Sequence, residues 1–223
     1  MKTVHLDLGL IPYKEAWDLQ KSLHEKKKKT NCDDYLITCE HPHVYTLGKS
    51  GDKNHLLLNI DELKKKGIDY FEVDRGGDLT YHGPGQLVVY PIFDLNNYYL
   101  DIHRFLRDLE QTVILTLKEF GIDTKHDEQF TGVWVDEEKI CAIGINVSRW
   151  ITMHGLALNV NTDLSYFGKI IPCGIFHKGV TSFQKVLGKE IEMEDVKKII
   201  LEKFKLVFKI KNIVTENAPQ LTS

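Results

Sequence analysis

RGGDLTYHGPGQ, residues 75–86, separates two segments with the composition of strands, Ile68 to Asp74 and Leu87 to Phe93. Its four glycines and one proline let the backbone approach a ligand closely and let N–H groups converge on an oxygen atom. Arg75 and His82 supply polar side chains toward its two ends. A long structural turn is an equal alternative, because the spacing is neither that of a phosphate-binding loop nor that of a dinucleotide fingerprint.

Outward from this loop, helices and strands follow one another without strict alternation, which predicts an α+β fold with a sheet covered by helices. Further strands are expected at Tyr35 to Thr38, Val44 to Leu47, a hairpin of Val133 to Val135 with Ile140 to Val147, and Gly155 to Val160. Helices are expected after Pro12, after Asn59 with a stop at Gly67, near Asp101 with a stop at Gly121, and around Val196 to Phe204. The helix near Asp101 has the clearest apolar stripe, which starts at Ile102. We expect one domain over residues 1–223, with a loose tail from about residue 215.

The overall composition excludes several classes of protein. The chain has 223 residues, and 29 lysines and arginines against 32 aspartates and glutamates give a net charge of −3. Dedicated nucleic-acid-binding proteins are usually basic, so a nucleic acid is not an expected partner. No apolar run approaches the roughly 18 residues that a membrane span needs. The first residues include Asp7 and Glu15 and resemble neither a secretory signal nor a transit peptide, so we expect a cytoplasmic protein that contacts no membrane.

The cysteines are expected to be free thiols, since the cytoplasm is reducing. They are Cys32, Cys39, Cys141 and Cys173. Cys173 lies between Pro172 and Gly174, which impose an irregular backbone that can present the sulfur to a cavity. An inert buried thiol is the commoner alternative, and Cys141, inside a predicted strand, fits that alternative much better.

Lys139 stands at the start of an apolar strand. Partial desolvation beside apolar residues lowers the pKa of a lysine and makes it a candidate base. From the residues alone, an exposed lysine in a hairpin is the stronger alternative, because Asp136, Glu137 and Glu138 mark a solvated turn.

A metal site is not expected. Cys39, His41 and His43 alternate in a way that can bring them to one ion, but no second cluster of ligands matches them. A serine hydrolase is poorly supported as well, because the G-x-S-x-G elbow is absent.

Taken together in chain order, the motifs resemble those of the lipoyl(octanoyl) transferase family, the octanoyl-[acyl-carrier-protein]:protein N-octanoyltransferases of lipoate biosynthesis. The resemblance covers the chain from about Tyr35 to Ser182. It is carried by HPHVYTLG (41–48), RGGDLTYHGPGQ (75–86), KICAIG (139–144), HGLALNV (154–160), DL (163–164), PCG (172–174) and TS (181–182). His43 is a departure, since the family often has a second proline there.

This resemblance implies both a fold and an activity. The fold is that of the biotin/lipoate protein ligases, a mixed β-sheet flanked by helices. The activity is an acyltransferase reaction in protein lipoylation, which moves an octanoyl group from octanoyl-acyl carrier protein to a lysine ε-amine of a lipoyl domain through a cysteine thioester. The acceptors are lipoyl domains of 2-oxoacid dehydrogenase subunits and the glycine-cleavage H protein. We expect no cofactor and a monomeric enzyme.

The resemblance also implies roles for individual residues. Cys173 carries the acyl thioester and Lys139 tunes it. The substrate-binding residues are Arg75, Gly76, Gly77, Asp78, Leu79, Thr80, Tyr81, His82, Ala142, Ile143, Gly144, Gly155, Leu156 and Ala157. The apolar residues expected to line a slot for the eight-carbon chain are Leu79, Tyr81, Ile143, Leu156 and Leu158. Backbone N–H groups near Gly76–Gly77 or Cys173–Gly174 are expected to hold the oxyanion.

Two other functions remain open at this point. An ATP-dependent lipoate or biotin protein ligase has the same fold and activates a free acid as an adenylate, without a cysteine nucleophile. A non-enzymatic module would bind acyl carrier protein or lipoyl domains and would gain no covalent acyl group.

Overall fold

The structure is a computed structural model that describes residues 2–30, 32–127, 130–171 and 179–217. Its strands are β1 (Thr3–Leu10), β2 (Asp34–Glu40), β3 (Val44–Leu47), β4 (Asp69–Glu72), β5 (Leu79–His82), β6 (Gln86–Ile92), β7 (Lys125–His126), β8 (Val133–Val135), β9 (Glu138–Ser148), β10 (Ile151–Asn159), β11 (Gly179–Val180) and β12 (Ile213–Glu216). Its helices are α1 (Tyr13–Lys29), α2 (Ile60–Lys65), α3 (Ile102–Glu119), α4 (Phe183–Leu187) and α5 (Met193–Val207).

Most of the described strands join one large sheet in the order β12-β1-β2-β6-β10-β9-β8-β7, and β11 pairs with β9. β1 is parallel to both β2 and β12, whereas β6 is antiparallel to both β2 and β10. A smaller sheet has the order β4-β3-β5. Parallel and antiparallel pairing in one sheet, with helices packed on it, confirms the predicted α+β class.

Both faces of the large sheet are covered. Helices α3 and α5 pack on one face, where Phe105, Val113 and Phe204 are fully buried. Helix α1 packs on the other face, where Leu19 contributes to a core with Val88 of β6. The central strand β6 is therefore buried along its whole length, as its continuous apolar composition predicts.

Local signals set several helix boundaries, as expected from the sequence. Asn59 caps α2 in a capping box with Glu62, and the Asp101 side chain accepts a hydrogen bond from a first-turn N–H of α3. Gly67 follows α2 with a φ of 64°, a conformation that costs glycine little. The stripe predicted for α3 is wrong at its first residue, because Ile102 is 40% exposed.

Several strand boundaries differ from the prediction, among them those of β10 and β12. β10 begins at Ile151 because Arg149 and Trp150 form a two-residue turn with φ of 54° and 63°, which pairs Ile151 with Ser148. Thr215 and Glu216, assigned to the loose tail, instead pair with β1 in β12. Residues 218–223 lie outside the described residues. Among the helices that the structure describes, none combines the length and the apolar character needed to cross a bilayer.

Candidate active site

A cavity of about 280 Å³ lies against the middle strands of the large sheet. Strands β6, β9 and β10 form one side, and the loop that starts at Arg75 forms another. The lining residues are Tyr13, Arg75, Gly77, Asp78, Leu79, Thr80, His82, Gln86, Val88, Tyr90, Phe130, Thr131, Trp134, Lys139, Ala142, Ile143, Gly144, His154, Gly155, Leu156, Ala157, Asn159, Phe167, Ile170, Gly179 and Val180.

The loop after β4 is fixed to both sheets by its first residues. The Arg75 guanidinium donates from Nη2 to the Thr46 carbonyl oxygen at 2.6 Å and to Thr46 Oγ1 at 2.9 Å, in the smaller sheet. The Gly76 N–H donates to the Ile145 carbonyl oxygen of β9 at 2.8 Å. A Cβ on Gly144 would lie 2.9 Å from the Gly76 oxygen, so glycine is needed for this close approach. The loop is therefore held directly against β9.

A buried histidine anchors the same loop from β10. His154 Nε2 lies 2.8 Å from Asp74 Oδ1, and the Asn146 amide donates to the other carboxylate oxygen. The hydrogen bond from His154 lowers the pKa of Asp74 to about 2. Burial lowers the pKa of His154, so we assign a neutral ring that donates from Nε2. His154 has a φ of 61°, an uncommon value for a residue with a side chain.

A chain of hydrogen bonds along the cavity wall connects Arg75 with the backbone of Thr181. Gln86 Nε2 donates to Asn159 Oδ1 at 2.9 Å, so Gln86 Oε1 is left to accept from His82 Nδ1 at 2.8 Å. His82 Nε2 then accepts from Thr46 Oγ1 at 3.4 Å. Burial lowers the pKa of His82 to about 3, which agrees with a neutral ring protonated on Nδ1. The chain ends where Asn159 Nδ2 donates to the Thr181 carbonyl oxygen at 3.0 Å, just after β11.

Lys139 lines this cavity from the start of β9 and is half-buried. Its Nζ lies 4.6 Å from the centre of the Trp134 ring. Val180 of β11 pairs with Lys139, and the Thr181 N–H donates to the Lys139 carbonyl oxygen at 3.0 Å. The interpretation of Lys139 as an exposed hairpin residue is therefore wrong, because the cross-strand ring and β11 flank it.

The cysteines differ sharply in their surroundings. Cys173 lies outside the described residues. Cys141 and Cys39 are completely buried, and burial raises the pKa of both thiols, so both resist ionisation. Cys32, half-buried, follows α1 and is not a lining residue of this cavity.

Most of the residues predicted for substrate binding meet at the cavity, although their binding role remains a prediction. Those on its wall are Arg75, Gly77, Asp78, Leu79, Thr80, His82, Ala142, Ile143, Gly144, Gly155, Leu156 and Ala157. Gly76 contributes through its bond to β9, and that bond occupies the N–H expected to hold an oxyanion. Tyr81 and Leu158 are not on the wall, because they pack in the cores of the smaller and larger sheets, respectively.

The sequence-based assignment of the site missed several residues. Gln86, His154 and Asn159 occur inside the quoted motifs, and their polar side chains in otherwise apolar strands were the available signal. Trp134 and Tyr13 gave no such signal, because buried aromatic residues are ordinary core residues.

The residues considered as metal ligands make other contacts. His41 Nδ1 lies 2.8 Å from the Ile11 carbonyl oxygen, and its Nε2 lies 2.8 Å from the Tyr90 hydroxyl. His43 Nδ1 lies 2.7 Å from the Tyr81 hydroxyl. Within the described ranges, no group of three or more His, Cys, Asp or Glu side chains is arranged to hold a metal ion.

Comparison with known proteins places this chain in a family. Residues 12–205 match the model of the lipoyl protein ligase A/B catalytic domain. An octanoyltransferase of Christiangramia forsetii is 49% identical over 219 residues, covering 91% of this chain and 94% of that protein. A crystal structure of lipoate-protein ligase A bound with ATP superposes with a TM-score of 0.83 at 15% identity, covering 99% of this chain and 91% of that one. The biotin protein ligase of Aquifex aeolicus superposes with a TM-score of 0.53 at 14% identity, covering 93% and 69%. The two structural matches confirm the predicted fold, that of the biotin/lipoate protein ligases.

Proposed function

Because the chain belongs to the lipoyl protein ligase A/B catalytic-domain family, and within it to the octanoyltransferases, we propose that it transfers an octanoyl group from octanoyl-acyl carrier protein to a lysine of a lipoyl domain. It is an acyltransferase of protein lipoylation. The proposed acceptors are the lipoyl domains of 2-oxoacid dehydrogenase subunits and the glycine-cleavage H protein. We further propose that the enzyme is a cytoplasmic monomer of one domain that needs no cofactor.

One observation carries the catalytic part of the proposal: Lys139 shares a cavity wall with described residues that lie before and after Cys173 in the sequence. Ile170 and Gly179, on either side of residues 172–178, both line the cavity with Lys139. Ile170 precedes Cys173 by three residues in the sequence, and its place on this wall supports the proposed pairing of Cys173 with Lys139. Val180, which follows this segment in the sequence, pairs with Lys139.

The burial of Cys39 and Cys141 supports Cys173 as the nucleophile, and Cys32 is not a lining residue of the cavity. A cysteine attacks an acyl group as its thiolate, and a low-dielectric interior disfavours that charge. Cys39 and Cys141 are buried completely and have raised pKa values. These observations favour Cys173 over Cys39 and Cys141 as the proposed nucleophile, with Lys139 as its proposed cationic partner.

The proposed reaction proceeds in two acyl transfers. Lys139 takes the proton of Cys173 or holds its thiolate, and the sulfur attacks the octanoyl carbonyl of the donor thioester. The carbon–sulfur bond to the carrier breaks, and Lys139 returns a proton to the departing carrier thiolate. The acceptor amine then attacks the Cys173 thioester, loses a proton to Lys139 and becomes an amide, while the Cys173 sulfur leaves. ATP is not needed, since one thioester is exchanged for another and then for a more stable amide.

The cavity wall suits an acyl chain beside a polar head. Leu79, Val88 and Ile143 supply apolar surface, and Phe167 and Ile170 add to it. Each methylene that leaves water contributes roughly 0.8 kcal/mol, so an eight-carbon chain has ample binding energy. His82 and Arg75, neutral and charged respectively, are held in place for the carbonyl end by the bonds described above.

An activity assay separates this proposal from an ATP-dependent ligase. The protein is mixed with octanoyl-acyl carrier protein and a lipoyl domain without ATP, and, in parallel, with free octanoate, ATP and the same domain. We expect modification of the lipoyl-domain lysine, measured by intact mass, in the first mixture. Modification in the second mixture alone would contradict the proposal, and donor binding without any mass change would indicate a binding module. A lipoyl domain with its acceptor lysine changed to arginine is the matched control.

A further inference from the structure

The hairpin of β8 and β9 places an aromatic ring directly against Lys139. Trp134 is the cross-strand partner of Lys139, and the Lys139 Nζ lies 4.6 Å from the centre of the indole. Side chains of directly opposed residues project from the same face of an antiparallel pair. We propose that Trp134 is a positioning residue that holds the Lys139 ammonium group at the cavity wall and favours its charged form, an inference that rests on the proposed function.

A β-bulge aims the lysine toward this ring. Val133 pairs with Cys141 and Trp134 with Lys139, so one step along β8 matches two steps along β9, and Ile140 is the extra residue. Bulges of this kind bend a strand and redirect its side chains, and they are common beside active sites. The bulge therefore lies next to Lys139, the residue whose ammonium group must point to the cavity wall.

The ring is itself held in a fixed orientation. Trp134 is only 3% exposed. Its Nε1 donates to the Phe130 carbonyl oxygen at 3.4 Å. The centres of the Trp134 and Phe130 rings are 6.3 Å apart, in a tilted arrangement. Both Trp134 and Phe130 line the cavity. The indole face is thus presented to the cavity wall, where an ammonium group can meet its negative quadrupole.

A glycine provides room for the stem of the lysine. A Cβ on Gly132 would lie 3.3 Å from the Lys139 Cε and 2.7 Å from the Cys141 carbonyl oxygen. Gly132 has a φ of 128°, a conformation that suits glycine. The lysine stem therefore passes over Gly132 to reach the ring.

Two carboxylates near the hairpin are bound by cations other than Lys139. Glu138, which precedes Lys139, is bound by Lys185 at 2.7 and 2.8 Å. Glu110 of α3 is bound by Arg107 at 2.6 Å and accepts the Gly132 N–H at 2.9 Å.

The expected effect follows from the charge state that the ring favours. An amine and a thiol in contact titrate as a coupled pair, and their charged form is the reactive one. Replacing Trp134 by leucine removes the attraction for the ammonium group, so the charged pair becomes rarer at neutral pH. We expect octanoylation of the enzyme about ten-fold slower, which corresponds to about 1.4 kcal/mol and lies within the range of cation–π contacts.

The test compares Trp134→Phe with Trp134→Leu by the single-turnover rate of octanoylation from octanoyl-acyl carrier protein, measured across pH. Phenylalanine keeps an aromatic face and leucine does not. We expect the plateau rate to fall in the order Trp, Phe, Leu, with the half-maximal pH unchanged or lower, because losing the ring destabilises the charged lysine equally beside a thiol and beside a thiolate. Equal rates and profiles for the two variants would show that the ring only fills space and would overturn the inference.

Two controls separate charge from packing. Tyr99→Leu removes another ring–cation contact, that of Arg104 at 4.2 Å, and should leave octanoylation unchanged. Fluorinated tryptophan keeps the size of the indole but weakens its quadrupole, so it tests the inference even if Trp134→Leu fails to fold. We expect slower octanoylation on fluorination of the wild-type protein but not of Trp134→Phe, whose remaining tryptophans are Trp17 and Trp150.

The outcomes also distinguish this inference from the proposal on which it rests. A wild-type protein that never becomes octanoylated would overturn both. Octanoylation at an unchanged rate after fluorination would overturn the role of Trp134 alone and leave the acyltransferase mechanism standing.

Discussion

Gly144→Ala tests whether octanoyl transfer requires the close contact between β9 and the loop that begins at Arg75. The new Cβ would lie 2.9 Å from the Gly76 carbonyl oxygen and 3.1 Å from the Arg75 Cδ, where ordinary contact starts at 3.4 Å. The loop must therefore retreat by about half an ångström. It cannot do so without stretching the 2.8 Å bond from the Gly76 N–H to the Ile145 oxygen.

Both stability and activity should respond. Overpacking of this kind costs about 1–3 kcal/mol, which lowers the Tm of a protein of this size by roughly 2–10 °C. Misplacing a binding loop by about 1 Å can cost a hundred-fold in rate. For half that displacement we expect kcat/KM for octanoyl transfer to fall about ten-fold, measured well below the Tm of the variant.

Gly168→Ala is the matched control. Its Cβ would meet no atom within 4 Å, so Tm and kcat/KM should stay near the wild-type values. If Gly144→Ala transferred octanoyl groups as efficiently as Gly168→Ala, the loop would not depend on its contact with β9, and the reasoning would be refuted.

Three further changes test other parts of the site. Gln86→Leu leaves the His82 Nδ1–H and the Asn159 oxygen without the amide that joins them, so unfolding in urea should show a loss of about 2–4 kcal/mol; a loss below 1 kcal/mol would argue against the hydrogen-bond chain. Cys141→Ser should retain most transfer activity in a steady-state assay, because the thiol is buried and un-ionised; an inactive but folded variant would reverse the choice of nucleophile. Asp74→Asn should lower the free energy of unfolding by about 1 kcal/mol at neutral pH, after discounting for the exposure of the carboxylate. Because the pKa of Asp74 is lowered from 3.8 to about 2, this difference should persist above pH 5 and shrink between pH 4 and pH 2 in urea titrations; a difference that stays constant to pH 2 would exclude the charge as its cause.

Local patterns predicted much of the fold because their causes lie close together in the chain. The capping side chains of α2 and α3 bind N–H groups only three residues further along the chain. The continuous apolar composition of β6 predicts directly that this strand is buried. The turn at Arg149 and Trp150 could not be read in this way, because neither residue is among those that usually adopt positive φ.

The candidate site depended on contacts between distant residues, which no local pattern reports. Lys139 follows an acidic turn whose composition predicts exposure to solvent. In the structure its ammonium group lies 4.6 Å from the centre of the Trp134 ring, and its backbone pairs with β11. His154 meets Asp74 across 80 residues, and Gln86 meets Asn159 across 73. The motifs could therefore predict which loop and which strands form the site, but not the chain of hydrogen bonds that joins them.

The central claim is that an octanoyl group rests on Cys173 beside Lys139, and trapping that intermediate tests it most directly. The protein is incubated with octanoyl-acyl carrier protein alone, quenched in acid and mapped by peptide mass spectrometry. We predict one octanoyl group on the Cys173 peptide, released by hydroxylamine, passed to a lipoyl domain on its addition and absent from Cys173→Ala. Octanoylation of Cys173→Ala, or transfer at the wild-type rate without any acylated Cys173, would contradict the account.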